Sequence, residues 1–194
     1  FRGNFNPSAA TLTVTGDVSL EEAMKLAEDT FSSWNVTSQA PATGNGKTED
    51  SAGITRDKTT IYLFDKPGAA QSVIRGGVLG LSRDDPDYFP LMVFDHLFGG
   101  QFTARLNMNL RQNKGYSYGY RSWIEWHKGA STFLMGGSVQ TEVTAPAVVE
   151  TLKEITEIIG SRPVEEAEFQ AAKDALLQSY PSSFETPWQM INQL

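Results

Sequence analysis

Leu12, Val14 and Gly16 alternate with threonines over residues 10–18, which predicts a strand with one buried face. A helix is expected next, over 19–34. Ser19 and Glu22 have capping-box spacing, and Leu20, Ala23, Ala27 and Phe31 recur at helical intervals up to Trp34. Residues 36–53 lose all apolar periodicity and are rich in Ser, Thr, Gly and Pro, the composition of an exposed linker. Beyond it, Thr60–Asp65 and Gln71–Leu79 read as two strands joined by the turn Lys66-Pro67-Gly68. Asp85 and Pro86 are expected to open a helix that runs to Phe98 before Gly99-Gly100. A shorter helix is predicted over 102–113, with Phe102, Leu106 and Leu110 on one face and Lys114-Gly115 closing it.

Residues 116–126 set Tyr116, Tyr118, Tyr120, Ile124 and Trp126 against Ser117, Gly119, Arg121 and Glu125, a strand pattern, and a turn at 127–129 leads to a partner strand over 131–140. Two helices follow. One carries Val148, Leu152, Ile155 and Ile159 and ends at Gly160; the other carries Phe169, Ala172 and Leu176. The order β-α, linker, β-β-α-α-β-β-α-α implies an α+β fold, a two-layer sandwich of a mainly antiparallel sheet with helices on one face. The expected parts are a terminal strand and helix over 1–36, a linker over 37–54 and a main domain over 55–194.

Composition narrows the function more than it changes this picture. The 194 residues are 40% hydrophobic, enough for a sizeable core. Sixteen Lys and Arg against 23 Asp and Glu give a net charge of -7, the wrong sign for a sequence-independent nucleic-acid binder. With no cysteine there is no disulfide, thiolate metal site or cysteine nucleophile. No apolar run approaches the about 18 residues of a membrane span. The chain starts at Phe1 without a Met and stops at Leu194 within a helical pattern, so it is read as a piece of a longer protein.

Candidate chemistry is sparse. His96 and His127 stand far apart, outside any H-E-x-x-H or H-x-x-E-H pattern, and read as ordinary histidines. Gly76-Gly77 and Gly99-Gly100 do not extend to a phosphate-binding loop, so close strand packing and helix termination are the expected roles. Glu21-Glu22, Asp84-Asp85 and Glu165-Glu166 fall at helix starts, where negative charge suits the dipole. The tyrosine stripe 116–120 reads first as a core face. Arg111, at the end of the preceding helix, lies seven residues before Tyr118, and the intervening Gly turn could bring the two side chains together. A guanidinium and a phenol side by side could hold a peptide carbonyl and the oxyanion formed when it is attacked.

The runs 66–72 (KPGAAQS), 86–88 (PDY), 97–106 (LFGGQFTARL), 110–119 (LRQNKGYSYG) and 163–173 (PVEEAEFQAAK) together resemble the second half of pitrilysin/insulinase-type zinc metallopeptidases, the inverzincins. The opening Pro7–Val18 is similar to the end of that family's preceding domain, and the likeness, nearest to the bacterial short-subunit members, spans roughly residues 5–187. It implies a C-terminal, non-zinc domain that closes with a zinc-bearing half around extended peptides. By resemblance, Arg111 and Tyr118 fall on the pair that holds the substrate carbonyl. The zinc motif itself is absent, so no cofactor is expected in this chain, and zinc is expected on a preceding domain or partner half.

Other implied partners are an extended peptide substrate and a second copy of the chain, in a homodimer or by a swap in which residues 10–34 fill the place of a missing terminal strand and helix. The alternatives are a catalytically inactive scaffold or assembly subunit of the same fold, and a module that binds peptides along a sheet edge. The resemblance favours a periplasmic or secreted bacterial location.

Overall fold

The computed structural model describes residues 7, 10–34, 58–127 and 129–193. The expected linker, 37–54, lies outside the described residues. The chain divides into two compact units, residues 1–49 with 177–194, and residues 50–176.

In the first unit, α1 spans Leu20–Phe31 and is set by its N-terminus: Ser19 Oγ accepts the Glu22 N–H while the Glu22 carboxylate accepts the Ser19 N–H. Leu20, Met24 and Phe31 of this helix are exposed. The strand expected at 10–18 does not form. Alternation supplies a β preference, but a strand exists only against a hydrogen-bonding partner, and these residues have none among those described.

The second unit is built on a three-stranded antiparallel sheet in the order β1 (Gln71–Leu79), β3 (Thr132–Gln140), β2 (Ser117–Glu125). The strand expected at Thr60–Asp65 is likewise unpaired, with Ile61, Tyr62, Leu63 and Phe64 exposed. One sheet face carries Tyr120, Phe133, Met135 and Val139 into the core, where they meet Leu97, Phe98, Leu106 and Leu110 from the segments between β1 and β2. Ala147 and Ile158 of α4 (Thr144–Ile158) and Ala172 of α5 (Glu166–Ser179) complete that core. Helices therefore cover one face of an antiparallel sheet, as the α+β pattern requires.

Several boundaries shift for identifiable reasons. Asp85 spends its carboxylate on the Asp87 N–H within the entry turn, so α2 starts only at Tyr88 and runs to Asp95. It continues as a π-helical turn over His96–Gly100, where Gly99 lies so close to β2 that a Cβ would stand 2.2 Å from the Ser122 nitrogen. On α4 the expected stripe of Val148, Leu152, Ile155 and Ile159 is not the buried one. The buried positions are Ala147, Thr151, Glu154 and Ile158, because two of the groups facing this helix are polar. The Thr151 hydroxyl bonds the Tyr120 hydroxyl at 2.8 Å, and Glu154 accepts from the Asn109 amide at 2.7 Å.

Candidate functional site

Between α2 and β2 the chain makes a short helix, α3 (Arg105–Asn107), which widens into a π-helical turn over Met108–Asn113. The widening is visible in the hydrogen bond from Lys114 N–H to the Asn109 carbonyl. Leu106 and Leu110 anchor this segment in the core with no exposed surface. Gly115, in the left-handed region at φ 68°, closes the turn and feeds the chain into β2. Arg111 is thereby fixed on the outer side of the turn, facing the start of β2.

The position of Tyr118 depends on a β-bulge. Ser117 pairs with Val139 and Tyr120 with Gly137, so two residues of β2 oppose one of β3. The Ser117 hydroxyl holds this irregularity by donating to the Ser138 carbonyl at 2.7 Å and accepting the Gly119 N–H at 3.1 Å. Strict alternation would bury Tyr118 with Tyr120; the bulge instead leaves Tyr118 87% exposed while Tyr120 is fully buried. The expected tyrosine core face is therefore corrected: Tyr120 and Ser122 point into the core, Tyr116 packs at its margin, and Tyr118 belongs to the surface.

The structure brings Arg111 and Tyr118 together. The Arg111 guanidinium carbon lies over the Tyr118 ring, 4.7 Å from its centroid, and over the Phe102 ring at the same 4.7 Å. Among the described residues, neither the Arg111 guanidinium nor the Tyr118 hydroxyl makes a hydrogen bond, and Arg111 has no ion pair. A partly buried guanidinium oriented by aromatic rings, with its N–H donors unspent, can take a planar oxygen acceptor along its edge, and the adjacent phenol adds a further donor.

Two supporting residues escaped the sequence reading. Phe102 does not join Leu106 and Leu110 on the core face of a helix, because the helix starts only at Arg105; its ring is 48% exposed and serves Arg111 instead. Asn107, 1% exposed, donates to the Phe102 carbonyl at 2.6 Å and accepts the Tyr120 N–H at 3.2 Å.

The histidines form no centre. His127 is exposed, whereas partial burial holds the His96 imidazole below its ordinary pKa and leaves Nε2 without a hydrogen-bond partner. Burial raises the neighbouring Asp95 carboxyl, opposed by the Ser122 hydroxyl, which donates to it at 2.6 Å. Among the described residues no three His, Asp or Glu side chains converge as metal ligands.

The family model of the peptidase M16 inactive domain matches residues 1–176. The chain belongs to this family. A curated relative, the mitochondrial-processing peptidase subunit beta of Lentinula edodes, is 31% identical over 96 residues, half of this chain and 20% of its own length. Among solved structures, a protease from Helicobacter pylori superposes with a TM-score of 0.65 at 16% identity, over 91% of this chain and 42% of that one. A peptidase M16 inactive domain from Pseudomonas fluorescens gives 0.57 at 23% identity, over 64% and 30% respectively. These structural likenesses establish the M16 fold, and the chain spans about a fifth to under a half of the relatives' lengths.

Proposed function

We propose that this M16 domain is the substrate-clamping, non-zinc part of a peptidase that encloses extended peptides between two halves. The hydrolytic zinc belongs to the other half, where such an ion activates water. Arg111 directs its guanidinium edge at the carbonyl oxygen of the bound peptide, and the Tyr118 hydroxyl donates to the same oxygen as negative charge develops on it. Both groups favour the attacked state over the resting amide, since the charge they neutralise exists only there. α1 is read as the end of the preceding family domain, and the exposed Leu20, Met24 and Phe31 as the side on which the rest of that domain packs.

The observation that carries the clamp is the Arg111 guanidinium held over two rings with its donors uncommitted. It is tested by cleavage of a quenched peptide by the zinc-bearing half, with wild-type chain or with Arg111→Ala/Tyr118→Phe added. Wild type is expected to restore cleavage and the double variant to lose it by at least about 10²-fold, the effect of removing one oxyanion donor. Equal binding of both chains with no change in rate would instead favour a scaffold subunit of the same fold.

A further inference from the structure

Arg111 is held by more than its own turn. Its side chain is long and flexible, and immobilising such a chain costs conformational entropy unless neighbours restrict it beforehand. No hydrogen bond or ion pair among the described residues restricts it, so the two ring contacts are what orient it. Tyr118, the more exposed of the two rings, is also a proposed substrate contact and so is partly committed elsewhere. The Phe102 side chain has no polar atom to offer a substrate. The buried Asn107 amide draws the Phe102 carbonyl to 2.6 Å and, through the Tyr120 N–H, ties it to β2 two residues beyond Tyr118. The single amide thus fixes the backbones that carry both rings.

We propose that Phe102 is a positioning residue for Arg111: an aromatic shelf, tethered through Asn107, that keeps the guanidinium aimed at the carbonyl while Tyr118 engages substrate. The inference rests on the clamp reading above and adds a residue to it. Phe102 acts through Arg111. Its loss therefore affects a group that matters most in the attacked state, and turnover suffers more than substrate affinity.

The test combines NMR of the Arg111 side chain in the full chain with cleavage kinetics in the presence of the zinc-bearing half. Both rings lie over the Arg111 guanidinium carbon, so Phe102→Leu should shift the guanidinium resonances of Arg111, whereas Phe102→Tyr should leave them close to wild type. Phe102→Leu should lower kcat by about three- to tenfold, the scale of a cation–π contact, with KM changed less than about twofold, and Phe102→Tyr should restore kcat. Arg111 resonances unchanged in Phe102→Leu would overturn the inference. So would wild-type kcat in Phe102→Leu while Arg111→Ala abolishes cleavage, an outcome that leaves the clamp intact. Wild-type cleavage by Arg111→Ala would overturn the clamp and the positioning role together.

Discussion

Arg105 and Arg111 lie on the same short helical segment, six residues apart, and have opposite surroundings. Arg105 spends its guanidinium on the fold. It pairs with both carboxylate oxygens of Glu168 at 2.7 and 2.5 Å and donates to the Arg162 and Pro163 carbonyls at 2.6 and 3.0 Å, fastening α3 to the start of α5. Those bonds lower the Glu168 pKa and raise that of Arg105. Arg111 has aromatic rings where Arg105 has oxygen acceptors, and its donors remain open. One cation is consumed by structure and the other is held ready. A saturated guanidinium has nothing left for a ligand, while an oriented, unsaturated one gains hydrogen bonds only when a ligand arrives.

The comparison breaks most visibly in activity. Arg111→Ala should reduce peptide cleavage with the zinc-bearing half by about 10²- to 10³-fold while lowering the unfolding free energy in urea by only about 1 kcal/mol, the scale of its ring contacts. Arg105→Ala should do the reverse. It leaves the half-buried Glu168 carboxylate without its guanidinium and is expected to cost about 1.5–3 kcal/mol, read from urea unfolding. Ser117→Ala sharpens the contrast on the Tyr118 side. Loss of the hydroxyl that pins the bulge should cost about 1 kcal/mol of stability and also lower kcat, because Tyr118 is no longer kept on the surface.

The smallest effect is the pH dependence. Glu168 has a lowered native pKa, so its contribution is complete above the ordinary glutamate value of about 4.3 and is lost as pH falls through the lowered value. Stability measured between pH 5 and about pH 2 should therefore fall less steeply in Glu168→Gln than in wild type, while Arg111→Ala keeps the wild-type slope.

Much of this arrangement is legible in the sequence, because it is local. The α1 capping box, the Gly115 closure and the β2–β3 hairpin each depend on residues within a few positions of one another. The Arg111–Tyr118 spacing across a Gly turn is local in the same way. What escaped is tertiary. Residues 10–18 and 60–65 have strand composition, but strands need partners that no periodicity supplies. The β2 bulge rests on Ser117 reaching the carbonyl of Ser138 on a neighbouring strand, and strict alternation therefore misplaces Tyr118. Thr151 and Glu154 are buried because a tyrosine hydroxyl and an asparagine amide face them, which a count of apolar positions along α4 cannot reveal.

The most direct measurement exchanges the two arginines' fates. Arg105→Gln and Arg111→Gln are each assayed for urea unfolding of the chain and for peptide cleavage with the zinc-bearing half. The expected result is crossed: Arg105→Gln lowers the unfolding midpoint, whereas Arg111→Gln lowers it much less and abolishes cleavage. If Arg111→Gln instead destabilises the chain as much as Arg105→Gln, or cleaves at the wild-type rate, Arg111 is not a guanidinium held in reserve for substrate, and the central claim is contradicted.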